Sequence, residues 1–318
     1  MWLFHGSNFD FLGIRRRAYV LSAAAILVGI GAMIFNIFSM GSWQNYGVDF
    51  TGGTVVQVRF ASGNVTAGQL RSALGGSNSP PITRFGEEDE FVIRAPLATS
   101  ADVEAVASGI EDQIRQAGLG DFQVERTELV GPTIGRELQE KAALAILFSF
   151  VLTLIYLAIR FEFRFGLAAV IATVHDITIT LGFLALFRLE VALPTVAAIL
   201  TIVGYSLNDT IIVFDRIREE LNSKGGRREP LKQLINRAIN ETLPRTLLTS
   251  GTTLTVLLAL LVLGGDVIRD FTIVLILGIV VGTYSSIFVA SAALVEIQNR
   301  YGTGKKEKKS RKASAIPV

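Results

Sequence analysis

The segment Gly204-Tyr-Ser-Leu-Asn-Asp-Thr-Ile-Ile-Val-Phe-Asp-Arg216 sets one carboxylate, Asp209, among residues otherwise suited to hydrocarbon. An Asp at the centre of a bilayer costs roughly 2.5 to 3.5 kcal/mol on insertion scales, so it is expected to face a bundle interior and to relay protons or ions. Further on, Pro244-Arg245-Thr246 opens the next apolar segment with a cation that could meet it. Asp209 and Arg245 then form either a static buried pair that orders the bundle or a relay in which one conformation favours each charge state. Val174-His-Asp176 sets a second titratable pair about ten residues into another apolar stretch, with Thr173, Asp176 and Thr180 on one helical face. Asp176 is read as lining the proton path or pairing across helices, and His175 as a shuttle or a packed, hydrogen-bonded ring. Asp215 and Arg216 fall at the membrane border, where snorkelling and capping are the ordinary roles. Thr249, Ser250, Thr252 and Thr253 suit either held water or interhelical hydrogen bonds. Gly278, Gly282 and Ser286, spaced by four, mark a close-packing stripe, and Gly204 and Asn208 are read as helix-packing positions.

The elements that must position these groups follow from composition. Half of the 318 residues are hydrophobic, which fits a polytopic α-helical membrane protein. The chain has no cysteine and two histidines, which excludes disulfides, thiolate sites and a usual zinc centre; no metal or other cofactor is expected. A bilayer core takes about 20 helical residues, and six stretches are long enough: Ala18–Phe38, Ala142–Ile159, Phe165–Phe187, Pro194–Phe214, Thr246–Gly264 and Phe271–Val295. Arg15 to Arg17, Arg160 with Arg164, the basic run after the fourth span and the tail Lys305-Lys306-Glu-Lys308-Lys309-Ser-Arg311-Lys312 all fall on one side of alternating spans. Both termini are therefore expected in the cytoplasm. That tail reads as a solvated segment or as a contact for anionic lipid or ribosomal RNA; no specific nucleic acid is expected as a partner. The first span is too long for a signal h-region of about 7 to 15 residues, and reads as a retained anchor.

Residues 43–140 then form an extracytoplasmic domain, between residues 1–42 with the first span and residues 141–298 with the other five; residues 299–318 are the tail. Thr54–Phe60 alternates with period two, Thr66–Leu74 and Ser100–Ala117 have helical spacing, and Phe91–Arg94 and Phe122–Val130 read as strands. With an extra strand at Ile82–Phe85, this order gives a small ferredoxin-like α/β domain. Ser100 is expected to cap its helix, with Asp102 and Glu104 in the first turn. Glu87-Glu-Asp-Glu90 reads as an acidic hairpin tip in preference to a cation site. Two glycine motifs flank the domain: Gly47-Val-Asp-Phe-Thr-Gly-Gly53, with Asp49, Phe50, Gly52 and Gly53, and Val130-Gly-Pro-Thr-Ile-Gly135, with Gly131 and Pro132. They read as elbows at the membrane surface that use positive φ and close backbone approach, and neither has the Gly-Lys-Ser/Thr of a phosphate cradle.

Four blocks, Gly47–Gly53, Val174–Asp176, Gly204–Arg216 and Asn240–Thr253, together resemble the SecF side of the SecD/SecF protein-export family, within the resistance-nodulation-division superfamily. The resemblance implies no enzyme but a bacterial inner-membrane subunit that pairs with a SecD-like partner and docks on the SecYEG translocon with its accessory subunits. It implies use of the proton-motive force to promote export of unfolded polypeptides. Asp209 matches the family's intramembrane acid and Arg245 its intramembrane arginine, and the second acid would come from the partner. A proton-driven exporter of small molecules or lipids, or a non-conducting translocon scaffold, are the competing functions.

Overall fold

The computed structural model describes residues 8–61, 65–76, 79–85, 89–96, 103–223, 229–265 and 267–301. Ser100, Asp102, Glu87, Glu88 and the basic tail lie outside them. Six helices are long and apolar enough to cross a membrane: α1 (Arg15–Met40), α5 (Pro132–Arg160), α6 (Phe163–Phe187), α7 (Leu193–Asn222), α8 (Leu231–Leu263), and α9 (Arg269–Ser285) continued by a π turn and α10 (Ser291–Tyr301).

Between α1 and α5 the chain forms β1 (Asn45–Tyr46), the short helix α2 (Val48–Thr51), β2 (Gly53–Phe60), α3 (Ala67–Ala73), β3 (Ile82–Phe85), β4 (Glu90–Pro96), α4 (Val103–Gln116) and β5 (Phe122–Val130). The last four strands form an antiparallel sheet in the order β3-β4-β2-β5, the ferredoxin-like arrangement of a βαββαβ chain. Alternation along β2 puts Val56, Val58 and Phe60 on one face, where they pack with Leu70, Ile93, Ile110 and Ile114 under the two helices. Thr66 starts α3 with a capping box: its Oγ1 accepts from Gln69 N, and Gln69 Oε1 accepts from Thr66 N at 2.8 Å. At the hairpin tip Asp89 faces Arg84 and Glu90 faces Arg59, so these two acids are ion-paired.

Several helices run beyond the apolar stretches. The second long helix begins at Pro132, ahead of Ala142, because a polar turn continues it, with Glu137 and Lys141 paired at 2.6 Å. The helix carrying Arg245 begins at Leu231, and Pro244 lies inside it and does not open it. About half of α7 and of the α9–α10 helix is buried, against under a fifth of α1, α5 and α8. The bundle centre is therefore α7 against α9, flanked by α6. The large apolar side chains of α1 and α5, such as Val20, Phe35, Phe148 and Leu152, point outward as lipid-facing residues do.

Glycines allow the tightest approaches. A Cβ on Gly278 would sit 2.2 Å from Ile202, and one on Gly282 3.0 Å from Ser206, so α9 lies directly on α7. Gly29 of α1 and Gly182 of α6 meet backbone to backbone, a contact the spacing of small residues did not flag.

Candidate functional site

Asp209, near the middle of α7, is 0 % exposed. Its Oδ2 accepts from Ser250 of α8 at 3.3 Å and from Thr283 of α9 at 3.4 Å, and those two hydroxyls lie 2.7 Å apart. Hydroxyl–carboxylate bonds are usually near 2.5–2.7 Å, so both hold the acid loosely. Its other oxygen, Oδ1, is buried with no partner. The expected partner Arg245 is exposed, and among the described residues it makes no ion pair with Asp209. The static buried pair is thus absent from this chain, because Arg245 emerges on the outer face of α8 while Ser250 turns inward. Thr249, Thr252 and Thr253 donate to carbonyls of their own helix, so of that polar stretch Ser250 supplies the bonds between helices.

Beside Arg245's helix, α7 turns Gly204 and Asn208 outward. A Cβ at Gly204 would meet nothing within 4 Å, and both residues line a groove of about 640 Å³ with Ala145, Ser149 and Tyr156 of α5. Within this chain they are not close-packing positions, since both are exposed to that groove.

A second polar cluster lies on the other side of α7. Asp176 and His175 of α6 are 1 % and 6 % exposed. Asp176 Oδ1 meets His175 Nδ1 at 2.8 Å, and Oδ2 accepts a short bond from Ser206 of α7. His175 Nε2 meets Ser22 Oγ of α1 at 2.9 Å, and Ser22 lies 3.2 Å from the Tyr284 hydroxyl of α9, whose ring stacks on the imidazole. Thr173 and Thr180 are buried on the same face and donate to carbonyls of α6. Ser206 and Asp209 are one turn apart on α7, and Thr283 and Tyr284 are adjacent on α9, so the pair α7–α9 carries both clusters. The π turn Ser286–Ala290 follows at once, a distortion frequent at functional sites. Ser22, Ser206, Thr283 and Tyr284 had a signal in the sequence, as hydroxyls within apolar runs, but their partners lie across helices.

The glycine motifs meet at the base of the sheet domain. Gly52, at φ 77°, lies against Pro132, and a Cβ on Gly135 would sit 2.8 Å from Gly52 N and 2.9 Å from Phe50 O. Gly53 pairs with Val130 at the end of β2 and β5. Gly131 sits at φ −65°, so it needs no glycine conformation of its own, contrary to the expectation for that elbow. Phe50 packs with Leu184, Val191 and Ile199 at the end of the bundle. Asp49 Oδ2 accepts from Leu193 N at 3.0 Å, placing a carboxylate at the start of α7, the helix of Asp209. β1 adds to β6 (Glu190–Val191) in parallel, and a Cβ on Gly47 would strike Glu190. Burial pushes the Glu190 carboxyl above the ordinary range; Arg94 opposes this, and Asp270 and Asp49 add to it.

At the far end of the bundle Arg216 pairs with Glu219, Glu220 and Glu241, Arg237 with Glu220 and Glu229, and Asp215 with Arg160. Asp215 and Arg216 are thus members of an ion-pair network tying α7 to α8 and α5, where capping and snorkelling were expected. Asn236 and Asn240 of α8 both donate to the Phe9 carbonyl, so the segment before α1 is clasped to α8. Among the described residues no group of three His, Cys, Asp or Glu could hold a metal ion.

Comparison with known proteins gives two family matches: "Protein export membrane protein SecD/SecF, C-terminal" over residues 110–300, and "SecD/SecF GG Motif" over residues 45–63. The protein translocase subunit SecF of Gemmatimonas aurantiaca is 46% identical over 307 residues, covering 94% of this chain and 90% of that one. The subunit SecDF of Thermus thermophilus is 43% identical over 94% of this chain, which spans 40% of that longer protein. A crystal structure of Thermus SecDF, a translocon-associated membrane protein, superposes with a TM-score of 0.75 at 40% identity, over 94% of this chain and 40% of that one.

Proposed function

The chain belongs to the SecD/SecF family of protein-export membrane proteins, and from that premise we propose that it drives late export by carrying protons through Asp209. It does so as one half of a complex with a SecD-type partner, beside SecYEG, acting on unfolded polypeptides as they leave the channel. Both termini lie in the cytoplasm and the ferredoxin-like domain outside it, in a bacterial inner membrane.

The observation that carries this reading is the state of Asp209: wholly buried, held by two long hydroxyl contacts, with Oδ1 unpartnered and no cation paired with it among the described residues. A carboxylate so placed is costly as a fixed structural charge and needs either a proton or a group from outside. Arg245, Gly204 and Asn208 on the uncovered faces of α7 and α8 suit a partner that supplies such a group. The Thermus relative, which joins a region like this chain to a further 60% of its length, also favours such a partner. Each proton moving inward across 100 mV releases roughly 2.3 kcal/mol, available as motion if Asp209 alternates between sides.

The test is export into inverted vesicles that contain the translocon, the partner and Asp209→Asn, with assembly checked by copurification. The variant is expected to assemble and to lose the part of export that responds to the proton gradient. Retention of the full gradient response would remove Asp209 from the mechanism.

A further inference from the structure

We infer that His175, Asp176, Ser22 and Tyr284 form a second proton-binding site, built within this chain alone, in which one rotating hydroxyl accommodates the arriving proton. It goes beyond the Asp209 reading and stands on its own hydrogen bonds.

Counting donors leads to it. The Tyr284 hydroxyl has one proton, and it donates to Ala18 O at 2.9 Å. That carbonyl is the one a serine at position 22 would ordinarily seek, four residues back on its own helix. Ser22 Oγ makes no hydrogen bond to it among the described residues, so the Ser22 proton has two acceptors: His175 Nε2 at 2.9 Å and the Tyr284 oxygen at 3.2 Å. On the other side of the ring Nδ1 faces Asp176 Oδ1 at 2.8 Å, so against an ionised carboxylate Nδ1 carries a proton. Two complete arrangements follow. With neutral imidazole, Ser22 donates to Nε2. With imidazolium, Nε2–H donates to Ser22 Oγ, and the Ser22 proton turns to the Tyr284 oxygen.

The balance is simple. One proton arrives at Nε2, one hydroxyl hydrogen turns, and no heavy-atom contact breaks. The buried pair goes from net −1 to net 0, which suits a site with little water to screen it. The groups facing the pair are Ser22 from α1, Ser206 from α7, and Tyr284 and Ser285 from α9; His175 is the one charged partner of Asp176 among the described residues. The site joins α1 and α6 to Ser206 of α7, one turn from Asp209. Its occupancy reverses the hydrogen bond between α1 and α6 and directs the Ser22 proton from α1 to α9.

The chain has two histidines, so His5→Gln leaves His175 as the only imidazole. The experiment is nitrogen NMR of that ring in the full-length chain with its partner in nanodiscs. At high pH the expected signal is the neutral tautomer with Nδ1 protonated, converting to the doubly protonated ring in one step as the pH is lowered through the range in which the complex stays folded. Ser22→Ala and, separately, Tyr284→Phe should each move the midpoint by about half a pH unit or more, the worth of one hydrogen bond. Asp209→Asn should leave it in place. A ring that stays in one state across this range, a neutral tautomer protonated at Nε2, or a midpoint indifferent to both hydroxyl variants would each overturn the inference. Any of these would leave the Asp209 export result standing, and loss of that result would not alter this titration.

Discussion

Replacing Gly182 by Ala tests how the helices hold the polar clusters in place. The new Cβ would lie 2.7 Å from Gly29 Cα, and the obstacle is backbone that no rotamer change can clear. Carbon atoms pack at about 3.5–4.0 Å, so α1 and α6 must part by about 0.8–1.3 Å at that level. Overpacking of this kind costs about 1–3 kcal/mol. The Ser22–His175 contact lies seven residues earlier on both helices, two turns or about 10 Å away. Stretched from 2.9 Å by the whole of that separation, it reaches about 3.7–4.2 Å and passes beyond hydrogen-bonding range. Thermal unfolding in detergent, read by the partition of a conformational antibody or by tryptophan fluorescence, gives the stability. Gly31→Ala, on α1 with nothing within 4 Å of its Cβ, is the matched control and should be neutral or stabilising by up to about 1 kcal/mol. Equal stabilities for Gly182→Ala and Gly31→Ala would refute the packing argument.

Asp49→Ala removes the carboxylate from the start of α7 and should destabilise the chain by about 1 kcal/mol, while Asp49→Asn, which keeps an acceptor oxygen, should lose less; chemical denaturation separates the two. For Glu190 the sign follows from burial: its folded-state proton affinity exceeds that of the unfolded chain, so its contribution to stability is fully present at low pH and declines as pH rises above the ordinary glutamate value of 4.5. Glu190→Gln should flatten that decline in melting temperature, and parallel pH profiles for the two proteins would contradict it. Since the chain has no cysteine, single introduced thiols report orientation cleanly. Ser72→Cys in the sheet domain should react with an impermeant maleimide in intact cells, and Asn222→Cys at the end of α7 should react after lysis alone; the reverse pattern would invert the topology.

The sequence made the periodic parts of this fold readable. Val56, Val58 and Phe60 announce a strand by alternation, Thr66 with Gln69 announces a helix start, and apolar length announces six spans. Helix ends were harder, because the polar turn at Arg136–Lys141 and the segment ahead of Pro244 continue helices in residues with no apolar signature. A proline within a helix looks like a start when the preceding turns are polar. Asp209, His175 and Asp176 stood out because acids and imidazoles are costly in hydrocarbon. Their partners did not, since Ser22, Ser250, Thr283 and Tyr284 are separated from them by tens to hundreds of residues and become neighbours by lateral helix packing. The same reason explains why Arg245 looked like a mate for Asp209: proximity in the motif order says nothing about which face of α8 turns inward.

The central claim is that Asp209 binds and releases a proton within the bundle. Infrared difference spectra of the complex with its partner, recorded across pH and compared between the protein and Asp209→Asn, measure this directly through the C=O stretch of a protonated carboxyl. A pH-dependent carboxyl band, shifted by deuterium exchange and missing from the variant, is expected. Identical spectra for the two proteins throughout the titration would contradict it.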